Sequence, residues 1–243
     1  MIFPPFVPSL QDLYNADIAG GSSNTTVPSE ISNQIADIGF PQTMQLTWMH
    51  SSSTMALFIS EDGSNALYSA CMPRGWRGPI YLYPGASFVG DPMSSGDRSG
   101  DRFVFQLPAV PNYGISCHEI TMAYERSRSS PRYKFSIRVE AEGGRRTESF
   151  EWRPSAQAQS SAYGMVWELV SLGRTSRSSS HRQRSSETVA VIYEENVPPM
   201  SPSVHRVGGF QFLGRSTTVY MGYHWTVMAL MSGVVVLQHA SRG

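Results

Sequence analysis

The closing stretch Tyr223–Gly243, "YHWTVMALMSGVVVLQHASRG", decides how the rest of the chain is read. Its uncharged run, Trp225 to Leu237, has 13 residues, whereas a helix that crosses a bilayer needs roughly 20 and runs of about 10–14 belong in protein interiors. Thr226, Ser232 and Gly233 interrupt it, and no Lys/Arg cluster flanks it as a membrane stop signal would. Placed on a helix, the run is apolar on nearly every face, so packing on one side of a sheet would leave part of it in water. It requires protein all round. The competing reading is a final buried strand, because Val234-Val235-Val236 is β-branched.

Outward from that segment, residues from Leu46 onward read as short β-type runs separated by turn signals, the pattern of an antiparallel barrel or sandwich. The runs are 45–50, 54–60, 66–71, 79–83, 86–89, 102–107, 115–122, 132–141, 146–153, 165–171, 188–194 and 208–213, about a dozen. Asp62-Gly63 supplies a turn between two of them. In "RYKFSIRVEAEGGRRTESFEWR" a two-residue turn at Gly143-Gly144 sets Val139 opposite Glu148, Ile137 opposite Phe150 and Phe135 opposite Trp152. The face carrying those residues and Tyr133 packs inward, and Arg132, Lys134, Ser136, Arg138 and Glu140 face out with Thr147, Ser149, Glu151 and Arg153. Gly208-Gly209 and Gly214 lack the Lys-Ser/Thr of a phosphate loop and read as turn or bulge residues.

A dozen strands followed by one all-round apolar helix suggest a closed barrel, which removes exposed edges and, when larger than about eight strands, has room inside for more than its own side chains. A helix roughly 10 Å across fills that room. The succession "RYKFSIRVE", "RTESFEWRPS", "VWELVSLG", "ETVAVIYEE", "GGFQFLGR" and "HWTVMALMSGVVVLQ" resembles the fungal branch of the tubby C-terminal-like superfamily, related to LURP-one-related proteins and phospholipid scramblases. The resemblance covers roughly Leu46 to Gln238. It implies a mainly β fold, a closed antiparallel barrel of about twelve strands around a central hydrophobic C-terminal helix. Animal members bind phosphatidylinositol bisphosphate near an N-F-x-G-T type motif that this sequence lacks, so those binding residues do not carry over.

Composition narrows the function classes. With 19 basic and 19 acidic residues the net charge is zero, which argues against a surface built throughout for nucleic acid. Two cysteines, Cys71 and Cys117, are too few for a disulfide scaffold and read as reduced, buried thiols, with a single disulfide as the alternative. The start "MIFPPFVPSL" is broken by three prolines and carries no positive charge, so no signal peptide is expected; the expected location is cytoplasmic, with peripheral membrane contact under a lipid-binding reading. Residues 1–43 read as a mostly disordered arm, with one or two helical turns at Ile31–Ile38, ahead of a 44–243 barrel domain. Residues 174–187, "RTSRSSSHRQRSSE", read as a disordered basic loop, and 196–205 as a Pro-rich connector.

Cys117-His118-Glu119 is the most enzyme-like triplet, but neighbours on a strand point to opposite faces and do not meet. "HEITM" places Met122 where a zincin needs its second histidine. His50, His181, His205, His224 and His239 show no metal-ligand spacing and read as structural or surface groups. No catalytic residue, metal or cofactor is expected. The lipid- or phosphate-binding candidates are Arg132, Lys134, Arg138 and Arg153, which share the outward face, though Glu140 and Glu151 there can pair with them. Ser179, Ser180, Ser185 and Ser186 stand two or three residues after arginines and are the candidate phosphorylation sites. The expected function is a non-enzymatic barrel that binds anionic phospholipid; the alternative is a protein-interaction scaffold using the arm and the 174–187 loop. Neither a specific nucleic acid nor a transmembrane segment is expected.

Overall fold

The apolar closing segment is a helix enclosed by the chain's own strands. In the computed structural model, which describes residues 27–50, 54–75, 78–126, 130–140, 144–155, 163–173, 186–196 and 204–240, this helix runs Tyr223–Ala240 and buries 15 of its 18 residues. Among the described residues no helix is long and apolar enough to cross a membrane.

Around it twelve strands close an antiparallel barrel, each paired with the next and the last with the first. They are β1 (Thr43–His50), β2 (Met55–Ser60), β3 (Ala66–Met72), β4 (Ile80–Pro84), β5 (Ser94–Ser99), β6 (Arg102–Leu107), β7 (His118–Glu125), β8 (Arg132–Val139), β9 (Arg146–Pro154), β10 (Tyr163–Ser171), β11 (Glu187–Glu195) and β12 (Val204–Phe212). A short helix α1 (Asn33–Asp37) precedes the barrel, and α2 (Tyr223–Ala240) is its core. Phe105, Trp152, Ile192 and Phe210 from the wall and Trp225, Leu230, Val234 and Leu237 from α2 belong to one fully buried cluster. Each such side chain stabilises the fold by about 1.5–3 kcal/mol relative to exposure. The polar Ser232 within α2 is satisfied: its Oγ accepts from Trp152 Nε1 at 2.8 Å and donates to the Ala229 carbonyl at 3.2 Å.

Several details differ from the sequence reading. The run 86–89 is not a strand. It lies in the connection after β4, where Phe88 folds over the outer side of the wall and packs edge-on to Phe58 and Tyr83, with ring centroids 5.5 and 5.9 Å away. This explains why β2 is buried at every position. The fifth strand is instead the polar "SSGDRS" of β5, and its Gly96 is required because a Cβ there would sit 2.8 Å from Phe105. Gly208 and Gly209 lie within β12 rather than at a turn, and a Cβ on Gly208 would come 2.2 Å from the Tyr193 carbonyl oxygen. The strands are thus forced closer than any side chain permits.

The β8–β9 hairpin is in register two residues away from the expected one: Val139 faces Arg146, Ile137 faces Glu148, Phe135 faces Phe150 and Tyr133 faces Trp152. A shift of two preserves which face points inward, so the expected core residues remain core. The last pair of the ladder is Val139↔Arg146, which is not the register a two-residue Gly143-Gly144 turn would set, and residues 141–143 lie outside the described residues. Glu140 N–H donates to the Met221 carbonyl at 3.1 Å, tying the hairpin to the entry of α2.

The loose arm expected for 1–43 is described only from Val27, and there it is docked. Glu30 bridges Ala109, Ile31 N–H donates to the Ala109 carbonyl at 2.9 Å, and Ile31 is buried. The 174–185 part of the basic loop lies outside the described residues.

Candidate ligand pocket at the seam between two strands

The wall is not equally tight everywhere. β7 and β8 have eight residues each, yet their ladder holds only three pairs, Ala123↔Lys134, Tyr124↔Tyr133 and Glu125↔Arg132. Beyond those pairs the strands diverge toward the end of the barrel where α2 begins. The positions on β7 that alternate with buried Met122, Ile120 and His118, should be internal, but Ile120 is half-buried and His118 is exposed. The seam therefore opens a window in the wall.

The window leads to a cavity of about 240 Å³. Its sides are His118 and Ile120 of β7 and Ser136 and Arg138 of β8, and its floor is Gly222, Tyr223 and His224 at the start of α2. The N–H groups of a helix's first turn have no intrahelical partner and carry the positive end of its macrodipole. Here the first bond back is from Thr226 N–H to the Gly222 carbonyl, at 3.1 Å. His224 is buried, and its Nε2 lies 2.7 Å from the Pro108 carbonyl oxygen. Burial pushes its pKa down to about 4, against the opposing pull of that carbonyl and with a further lowering from His118, whose ring stands nearly perpendicular at 5.6 Å. His224 is therefore neutral near pH 7, and with that carbonyl as acceptor its Nε2 carries the proton.

At the rim, Arg138 is exposed and has no carboxylate within 4.0 Å among the described residues. Arg145 closes the open end of the seam: it pairs with Glu140 at 3.3 Å and donates to the Gly114 carbonyl at 3.3 Å across the gap.

The four basic candidates read from the sequence separate in space. Arg132, Lys134 and Arg153 surround Glu151 at 3.3, 3.5 and 3.6 Å, and Lys134 also pairs with Glu125 at 2.7 Å. Glu151 points outward yet its side chain is only 3 % exposed because these three cations cover it. The hydrogen bond to Glu125, joined by the nearby charges, raises the pKa of Lys134 despite partial desolvation. In this part of the stripe three cations share two carboxylates, Glu151 and Glu125, in one ion-pair network. Only Arg138 lies at the seam. Of the serines, Ser186 is exposed, and Ser179, Ser180 and Ser185 lie outside the described residues.

Cys117 and His118 diverge as strand alternation requires. Cys117 lines a different groove, with Val27 and Gln106, while His118 lines the seam pocket. Neither cysteine forms a disulfide, and Cys71 is buried as expected, but Cys117 is exposed rather than buried. Glu119 accepts from Gln106 Nε2 at 2.8 Å, so it does not orient the imidazole.

Sequence reasoning missed Arg145 and treated His224 as a structural or surface group. A usable signal was the position of His224, a polar ring at the head of an otherwise apolar helix just after Gly222. No family model, curated protein or solved structure matches this chain. Its architecture is a closed twelve-stranded barrel and an enclosed helix, with a seam between β7 and β8 that, among the described residues, opens onto that helix's first turn.

Proposed function

We propose that this chain is a tubby-like, non-enzymatic barrel that binds the headgroup of an anionic phospholipid, such as a phosphoinositide, at the cytoplasmic surface of a membrane. The observation that carries this reading is Arg138 at the mouth of the seam pocket, exposed and without a carboxylate partner among the described residues, beside the first turn of α2. A phosphate placed there meets a guanidinium and the positive end of an 18-residue helix, with the hydroxyls of Ser116, Ser136 and Thr147 also lining the pocket. The sequence resemblance to tubby-like barrels supports the same ligand class. The site differs from the strand-face stripe expected at first, because Arg132, Lys134 and Arg153 are occupied by Glu151 and Glu125.

The test is flotation of the full chain with vesicles of phosphatidylcholine alone, with added phosphatidylserine, and with added phosphoinositide. Binding is expected only to the anionic vesicles. Arg138→Gln should weaken it roughly fivefold or more, the effect of about 1 kcal/mol per basic group near a charged surface. Equal and negligible flotation with all three compositions would remove the reading, as would an Arg138→Gln variant that floats like the parent.

A further inference from the structure

We propose that the cavity between the arm and the head of α2 is a small-molecule site, separate from the seam, that takes a neutral, flat, largely apolar molecule through one hydrogen-bond-accepting oxygen such as that of a ketone. This inference does not rest on the lipid-binding reading above. The cavity measures about 310 Å³. Ala36, Gly39 and Phe40 of the arm line one part of it, Tyr223 and Trp225 of α2 another, and Phe212 of β12 a third. The space far exceeds the roughly 30 Å³ share of one water, and a dry apolar cavity of about 150 Å³ already takes benzene, so a substituted ring fits here.

Two donors identify what the occupant must offer. Trp225 is 2 % exposed and Tyr223 6 %, and both line the cavity. Among the described residues neither Trp225 Nε1 nor the Tyr223 hydroxyl has a hydrogen-bond partner. A buried indole N–H or phenol ordinarily has one, because such a group is costly to leave unpaired. The indole nitrogen can only donate. Burial pushes the pKa of Tyr223 up, so its hydroxyl keeps its proton and can donate as well. Ser216 and Thr226, also on the lining, are already used: Ser216 Oγ donates to the Val189 carbonyl at 2.6 Å and Thr226 Oγ1 to the Gly222 carbonyl at 3.2 Å. What the cavity still calls for is an acceptor.

The rest of the lining sets the charge and shape of the molecule that carries it. Among the described residues that line the cavity there is no Asp, Glu, Lys, Arg or His, so an ion entering it would lose water and gain no counter-charge. The charged residues next to the lining in sequence are engaged elsewhere, Asp37 with the Tyr113 hydroxyl and Arg215 with Glu148. Phe40, Phe212, Tyr223 and Trp225 supply aromatic surface, and rings pack on one another offset or edge-on. Phe40 is itself held in place: its ring stacks on Tyr68 with centroids 4.6 Å apart, and the Tyr68 hydroxyl donates to the Gly39 carbonyl. The site is therefore preformed, which spares a ligand the cost of ordering it.

The experiment titrates the full chain with three probes and follows the indole N–H resonance of Trp225 by NMR. The probes are acetophenone, ethylbenzene, in which a methylene replaces the carbonyl, and benzoate, which adds a charge to the same ring. Acetophenone should move the resonance and bind roughly tenfold more tightly than ethylbenzene, the effect of one buried hydrogen bond. Benzoate should not bind at the same concentrations. Ala36→Phe, which fills the cavity from the arm and leaves α2 untouched, should lose acetophenone binding with an unchanged thermal midpoint. The inference is overturned if acetophenone binds no better than ethylbenzene, if benzoate binds as tightly, or if Ala36→Phe binds acetophenone like the parent. A Trp225 resonance that none of the three probes moves would overturn it as well and leave water as the partner of both donors.

Discussion

His224 makes the structure's stability depend on pH in a way that can be worked out in advance. Its ring is 7 % exposed at the head of α2, against Pro108 and His118, and burial lowers its pKa from 6.5 to about 4. A base whose pKa is depressed on folding opposes unfolding less as acid is added, because only the unfolded state takes up the proton. Above about pH 6.5 neither state is protonated there and the group contributes no pH dependence. Between about 6.5 and about 4 the folded state should lose about 1.4 kcal/mol per pH unit, reaching about 3 kcal/mol in total, with no further loss below. The assay is urea unfolding of the parent and of His224→Gln at about pH 7.5 and about pH 5, where roughly 1.5 units of the window have been crossed. The parent should lose about 2 kcal/mol more than the variant between the two conditions. His118, the titratable ring packed on His224, is present in both proteins, so its own contribution largely cancels. Parallel pH profiles for the two proteins would refute the reasoning and place His224 in contact with water.

Other perturbations probe the core and its cap. Gly233 faces Trp152, and a Cβ at that position would lie 3.0 Å from Trp152 Cζ2 and 3.1 Å from Ile192 Cδ1, so Gly233→Val should destabilise by about 2–3 kcal/mol in denaturant unfolding. A neutral result would mean that α2 sits loosely in the barrel. Glu148 is buried and accepts from Arg215 and from Arg146 Nε at 2.6 Å. Burial alone would raise its pKa, but the hydrogen bonds and charges of Arg215 and Arg146 outweigh that and lower it. Glu148→Gln should therefore cost about 3 kcal/mol near neutral pH, and the gap to the parent should narrow as pH falls below the ordinary carboxylate range and through the lowered pKa. A gap that stays constant into acid would show that the carboxylate charge is not what matters there.

What could be read in advance, and what could not, follows from the range of the interactions involved. The fate of Trp225–Leu237 was legible because apolar side chains on every face of a helix leave one solution, enclosure. The inward faces of β8 and β9 were legible because alternation is local. The register of that hairpin was not, since Glu140 leaves the ladder to bond Met221, a partner 81 positions away. β5 was not legible because Gly96 is set by the space Phe105 needs and Ser94 by its Oγ donating to the Gln106 carbonyl at 3.0 Å, not by strand propensity. The outward cations could be placed on one face, and Glu151 was visible there as a competitor. That it would collect Arg132, Lys134 and Arg153 together, leaving Arg138 apart, depended on side-chain geometry. The seam was illegible for a more general reason. It arises where β7 and β8 stop pairing, and no local pattern in either strand encodes that loss.

Hydrogen exchange of the α2 amides tests the central claim most directly. A helix walled in by twelve strands of its own chain should exchange from Val227 to Leu237 only through global unfolding, at the slowest rate in the molecule and with the denaturant dependence of the whole domain. Exchange of that segment through local opening, faster than the strands around it, would contradict the enclosed helix and with it the pocket floor on which the functional reading stands.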